Sequence, residues 1–168
     1  IIQNPQQRGS LAGFATINFN GSGDAGDLTI TTPRLLLRDG SGATTSTLGT
    51  GLGGNLTVNA SESVTLIGRG GLATATFGNK KAGDLTVNTP RLNLQNGAAI
   101  SADTLGAGDA GNLTIGTQIL TVQNASRIGA GTLRNSTGLG GTVTIKAKDS
   151  IEIIGTSADN TVPSGIFT

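Results

Sequence analysis

Chemistry in this 168-residue sequence would have to come from ten carboxylates, eleven Lys and Arg, and many hydroxyls and carboxamides, because it contains no His, Cys, Met, Trp or Tyr. The acids are Asp24, Asp27, Asp39, Glu62, Asp84, Asp103, Asp109, Asp149, Glu152 and Asp159. Hydrolysis or elimination at a glycosidic bond needs paired carboxylates, or a bound cation with a base, and usually aromatic rings to stack on the sugars. Asp27 and Asp84 occupy one position of a repeating pattern, but Asn55 holds that position in the unit between them. They are expected two strand spacings apart, about 10 Å, which suits neither a nucleophile–acid pair nor a shared ion. The other acids fall mainly at corners or on outward strand positions. The sequence therefore reads as non-enzymatic, with no catalytic residue, cofactor or metal site expected.

Three weaker patterns point to binding rather than catalysis. Gly23-Asp24-Ala25-Gly26-Asp27 and Gly106 to Gly111 echo the glycine- and aspartate-rich composition of calcium-binding β-rolls. Those repeats are nine residues long, and the matching corners Gly51-Leu52-Gly53-Gly54 and Gly138-Leu139-Gly140-Gly141 carry no acid. Glycine for tight corners and Asp for a turn hydrogen bond explains them better. Thr29, Thr57, Thr86, Thr114 and Thr144 recur at one position and should form an outward ladder. Threonine ladders can bind ice or another sheet. However, the preceding outward residues are Asp27, Asn55, Asp84, Asn112 and Thr142, so no doubled Thr-x-Thr array repeats, and a solvated β face uses threonine anyway. Asn96 and Asn124 align at one corner and are expected to stack as an internal hydrogen-bonded ladder. Asn55-Leu56-Thr57 and Asn135-Ser136-Thr137 match the glycosylation acceptor pattern, a weak signal in so Asn- and Thr-rich a chain.

What must position these residues is a repeat. Gly-polar-Leu/Val-Thr-Ile/Val occurs five times, beginning at Gly26, Gly54, Gly83, Gly111 and Gly141, at intervals of 28, 29, 28 and 30 residues. A near-constant period with short apolar alternation and no helical pattern marks a solenoid. In the unit Gly83 to Ala110, Asp84-Leu85-Thr86-Val87 alternates as a strand and Asn88-Thr89-Pro90 turns the chain. Arg91-Leu92-Asn93-Leu94-Gln95 alternates again, Asn96-Gly97 supplies a corner tolerant of positive φ, and Ala99 to Ala102 is a third strand. Three strands and three corners make one turn of a parallel β-helix, right-handed by the crossover rule. The inward ladders are Leu28, Leu56, Leu85, Leu113 and Val143 on the first strand. On the second they are Leu35 with Leu37, Val64 with Leu66, Leu92 with Leu94, Leu120 with Val122, and Ile151 with Ile153. The third side is expected to stack Ala43 with Leu48, Leu72 with Phe77, Ile100 with Leu105 and Ile128 with Leu133 in successive units. Residues 1–25 read as the tail of a preceding coil, with Phe14, Ile17 and Phe19 apolar, and 26–168 as five coils in a single solenoid domain.

Composition excludes several classes. Glycine numbers 28, charged residues make up 12% and the net charge is +1. Aliphatic residues recurring in register argue against disorder. Scattered cations, with Lys80-Lys81 the one adjacent pair, and only four Phe argue against nucleic acid. No apolar run approaches the roughly 20 residues of a membrane-spanning helix. A β-sandwich would not keep the constant period, and a leucine-rich repeat would need a helical segment. The start, Ile1-Ile2-Gln3-Asn4-Pro5, shows no signal peptide, which suits a mature form or an excerpt of a longer chain. Neither end shows a capping helix, so the open strand edges are expected to meet more coils or another molecule.

The cadence G-D-A-G-N-L-T-I at Gly108 to Ile115, with L-N-L-Q-N-G-A-A-I-S-A-D-T-L-G at Leu92 to Gly106, resembles that of cyanobacterial filamentous-haemagglutinin-like exoproteins. These are the large secreted partners of two-partner secretion systems, often labelled S-layer family or haemagglutination-activity-domain proteins. The resemblance runs from about Gly23 to Lys148 and carries none of the family's amino-terminal secretion motifs. It implies a right-handed parallel β-helix, export across the outer membrane, and a structural or adhesive role outside the bacterial cell. Expected partners are further coils or copies of the same protein end to end, and surface glycans, with no nucleic acid and no membrane insertion.

Overall fold

The computed structural model describes residues 2–3, 13–19, 21–133 and 136–168. Among them there is no helix, and two parallel sheets stack into a β-solenoid of about five turns. The first sheet contains β1 (Ile2–Gln3), β3 (Leu28–Arg38), β5 (Leu56–Ile67), β7 (Leu85–Asn88), β8 (Arg91–Gln95), β10 (Leu113–Gln123) and β12 (Val143–Ile154). The second contains β2 (Gly13–Asn18), β4 (Gly42–Thr47), β6 (Gly71–Thr76), β9 (Ala99–Thr104), β11 (Arg127–Gly129) and β13 (Gly165–Phe167). Every pairing between these strands is parallel and joins one coil to the next. Strands β1 and β2 pair with β3 and β4, so residues before 26 lie on the rung beneath the first full coil.

The expected separation into three strands is seen in one coil among the described residues. In the coil starting at Gly83, Thr89-Pro90 lies between β7 and β8, whereas β3 continues through Pro33. In four other coils, beginning at Leu28, Leu56, Leu113 and Val143, one strand of 11 or 12 residues runs through the first corner. The corner survives there as a shift in register, between Thr32 and Arg34 and again between Thr117 and Ile119. Bulged strands bend while keeping most of their hydrogen bonds. That is why a corner need not end the strand.

The core is a set of stacked columns. Leu56, Leu85 and Leu113 are buried in one. Val64, Leu92 and Leu120 are buried in a second, above Leu35, and Leu66, Leu94 and Val122 in a third, above Leu37. Both residues of the expected pair Val64 and Leu66 are completely shielded from solvent. The ends of these columns differ. Leu28 and Val143 are only half-buried. Ile151 and Ile153 pair in register with Leu120 and Val122, yet are 47% and 45% exposed. Alternation puts a residue on the inner face, but burial needs a rung on both sides, and β12 pairs on one side only.

The third side departs from expectation in its phase. Ala43, Leu72, Ile100 and Ile128 stack inside, but Leu48, Phe77 and Leu133 lie outside, 45%, 48% and 43% exposed, and Leu105 is half-buried. An interval of five residues reverses the face of a strand. The inward places belong instead to Thr45, Thr47, Thr74, Thr76, Ala102 and Thr104. The Thr45 hydroxyl donates to Gly54 O and that of Thr74 to Gly83 O, the latter at 2.6 Å. Buried threonine is stable when its hydroxyl is so bonded. These bonds tie the third side of one coil to the start of the next.

Candidate functional site

The outward surface is where a rod of stacked coils can meet anything, and its most regular element is a polar ladder. Thr29, Thr57, Thr86, Thr114 and Thr144 pair in register through all five coils, half-buried or exposed. Two residues before each of the first four threonines, side chains bond to the rung that follows. The Asn55 N–H donates to Asp27 Oδ1 at 2.7 Å, Asp84 N–H to Asn55 Oδ1 at 2.9 Å and Asn112 N–H to Asp84 Oδ1 at 2.8 Å, and Thr142 N–H donates to Asn112 Oδ1 at 3.1 Å. A side chain one carbon long reaches the amide about 4.8 Å away on the neighbouring strand. Both Asp and Asn offer that acceptor, which accounts for their interchange along the repeat. Thr86→Ala leaves this ladder and the core intact and is expected to cost less than about 0.5 kcal/mol. A thermal melt showing a much larger loss would mean that the face is buried in an assembly.

Three more acids are placed the same way. The Leu52 N–H donates to Asp24 Oδ1 at 2.7 Å, Leu139 N–H to Asp109 Oδ1 at 2.8 Å and Gly131 N–H to Asp103 Oδ1 at 3.1 Å. The two Gly-Asp corners thus turn their carboxylates onto backbone amides of the next coil. Among the described residues no three acids are grouped to hold a metal ion. Glu62 pairs with Arg34, Asp39 with Arg38 at 3.6 Å, and Asp84 with Lys81 at 2.8 Å. Asp27 and Asp84 stand two rungs apart with Asn55 between them.

Two of these groups carry opposite pH signatures. Burial is the largest influence on Asp103 and pushes its carboxyl above the ordinary value, against the Gly131 N–H and Ser101, which pull it down. The folded chain therefore holds that proton to higher pH than the unfolded chain. Stability falls as pH rises from the ordinary carboxylate value through the raised one. At Asp84 burial again pushes up most strongly, but the Lys81 ammonium and the Asn112 N–H together outweigh it and the carboxyl titrates low. Its stabilisation is present above the ordinary value and is lost as pH falls through the lowered one. Asp103→Asn keeps an acceptor for Gly131 and removes the buried charge. The variant is expected to melt above the unchanged protein at pH 7, with the difference vanishing in acid below the ordinary carboxylate range. A variant melting lower at pH 7 would show that the charge itself is needed.

The corner column of Asp39, Gly68, Asn96, Asn124 and Gly155 has positive φ throughout, between 54 and 78°. Asn124 Nδ2 donates to Asn96 Oδ1 at 3.2 Å, so the two do stack, but on the exposed outside rather than within. Of the two glycosylation patterns, Asn55 belongs to the amide ladder, and Asn135 lies outside the described residues. No family model, curated protein or solved structure matches this chain. Also, among the described residues, no helix is long and apolar enough to cross a membrane.

The side that carries β4, β6 and β9 has the features which sequence reasoning missed. Its outward residues are small, Gly42, Gly71 and Ala99 in one column and Thr44, Ala73 and Ser101 in the next. They floor a shallow groove of about 410 Å³. Along one edge runs an apolar column, the exposed Phe19, Leu48, Phe77 and Leu133 with the half-buried Leu105, aligned by hydrogen bonds such as Phe77 N–H to Thr47 O at 2.9 Å. Counting residues from the last inward one would have found that column, because Leu48 is five from Ala43. Nothing in the sequence signals the groove, since its walls come from different coils.

Proposed function

We propose that this chain is a structural or adhesive segment of a secreted or cell-surface bacterial protein, acting as a stiff rod, filament or surface-coat component. The observation that carries the reading is the uninterrupted register of inward aliphatic columns and the outward Asp/Asn ladder through every coil. Each coil contacts its neighbours along its whole contour, so stiffness and length come from repetition. Five coils give a rod of about 25 Å at the strand spacing. The placement outside the cell draws on the resemblance to filamentous-haemagglutinin-like exoproteins. The engagement of Asp24, Asp27, Asp84, Asp103 and Asp109 by backbone amides favours a mechanical role over a catalytic one.

The far edge of β12, with Ile151 and Ile153 exposed, is suited to a further rung from more coils of the same protein or from another copy. Electron microscopy at high protein concentration tests this. Filaments with coils stacked along the axis establish self-association through the open edges, and dispersed short rods establish a spacer within a longer adhesin. Particles that are neither rods nor filaments would sink the proposal.

A further inference from the structure

We infer that the corner between the first and second sheets, around Arg69 and Arg127, is a binding site for an acidic linear glycan. The inference goes beyond the rod reading, which stands whether or not this site binds. The cavity there measures about 740 Å³ and is lined by Arg69, Asn96, Asn124, Arg127 and the hairpin residues Thr156 and Ser157. That volume is within the range of small-ligand sites. Arg69 also borders the small-residue groove on the adjoining face. Arg127 borders a third cavity, lined by Ser101 and Asp103. The two arginines therefore sit where three concavities meet along one side of the rod.

The electrostatics of the central cavity are one-sided. No carboxylate lines it, and among the described residues neither guanidinium forms an ion pair. Asp159, on the same hairpin, accepts from Thr161 Oγ1 at 2.8 Å and from Ser157, and is pulled down to about 2 by those bonds. Its carboxylate takes those bonds through Oδ1 on the exposed surface and does not line the cavity. Arg127 is held by its neighbour, with its guanidinium carbon 5.5 Å from the centroid of the Phe167 ring, a cation–π contact. Asn96 gives its carbonyl oxygen to Asn124, and the residue beneath it in the column is Gly68, which has no side chain to take the amide hydrogens. Two guanidiniums and a carboxamide NH₂ are donors in search of anionic oxygen.

Spacing selects the polymer. Arg127 stacks two rungs above Gly71, and Arg69 stands two residues before Gly71, so the arginines are about 9.6 Å apart along the axis and offset by up to about 6.6 Å across it. Alternate side chains of an extended acidic peptide repeat at only about 6.6–6.8 Å. Like groups on alternate rings of an extended pyranose chain fall near the two-rung distance. The carboxylate of a uronate or a sulfate ester presents the same anionic oxygens to a guanidinium.

The test is titration calorimetry of the intact 168-residue protein with polygalacturonate, dextran sulfate, polyglutamate and neutral dextran. Binding of either acidic glycan, weakened at least tenfold by the pair Arg69→Gln and Arg127→Gln, is the expected result. The pair Lys146→Gln and Lys148→Gln, which removes the same charge from exposed positions of β12, should leave it unchanged. Circular dichroism of each variant guards against unfolding, and Arg69→Gln alone, at an exposed position, should weaken binding even if Arg127→Gln perturbs the Phe167 contact. Preference for polygalacturonate identifies the carboxylate as the group read, and preference for dextran sulfate identifies the sulfate. Equal loss in the lysine pair, binding of polyglutamate or dextran as tight as that of the acidic glycans, or no binding at all would overturn the site. Cleavage of polygalacturonate during the titration would instead overturn the non-catalytic reading of the rod.

Discussion

Leu92→Asp is expected to abolish the cooperative melt of the coil that contains it. Leu92 is 1% exposed and stacks between Val64 and Leu120. A carboxylate there has no basic partner among the aliphatic columns on either side, and an unpaired buried charge costs several kcal/mol even after relaxation. A loss above about 4 kcal/mol is in the exceptional range for one substitution. In a solenoid the damage is local first, because each coil is stabilised by its own folding and its two interfaces. Circular dichroism should show a large drop in melting temperature or loss of strand signal, and limited proteolysis should cut within the coil starting at Gly83. An unchanged melt would mean that Leu92 does not face the core and that the register is wrong by one residue.

Gly83→Ala is expected to lower stability by about 3 kcal/mol, or roughly 10 °C in melting temperature for a chain of this size. The reason is close approach rather than backbone conformation. A Cβ on Gly83 would lie 1.8 Å from Gly54 O and 2.4 Å from Gly54 C. Those are backbone atoms of the adjacent rung and cannot swing aside. Gly111 and Gly141 meet the glycine one rung before them in the same way, at 1.9 Å each. Gly26 is the informative control, because a Cβ at that position of the first coil meets nothing within 4 Å. Gly26→Ala should therefore cost little or even stabilise by restricting the unfolded chain. Equal effects at both positions would show that the glycine column serves turn formation and not the contact between coils.

The glycine column shows how far pattern reading reaches. Five glycines at a near-constant interval are visible in the sequence, and so are the coils they begin. The carbonyl one rung away that makes glycine necessary is 28 to 30 residues distant in the chain and becomes visible only on stacking. The acids are similar. Asp27, Asn55, Asp84 and Asn112 read as outward positions, but their partners are amides of the next coil. The pairing of the two sheets and the cavity at Arg69 and Arg127 likewise join residues that no short window contains.

By itself the sequence determined the repeat, the all-β solenoid and the inner face of the first two strands, because period-two alternation is local and a fixed period forces like onto like. Val64 and Leu66 are read inward from alternation alone, and both are buried. Only the tertiary structure decided which side the third strand turns inward. Hydrophobicity favoured Leu48 and Phe77, whereas alternation from Ala43 and Leu72 placed Thr45, Thr47, Thr74 and Thr76 inside. A hydroxyl can be buried where a neighbouring coil offers a carbonyl, as Gly83 O does for Thr74. Tertiary structure also decided that Ile151 and Ile153 stand exposed while Leu66 and Leu94 do not, since apolar area leaves water only when a rung covers it from either side.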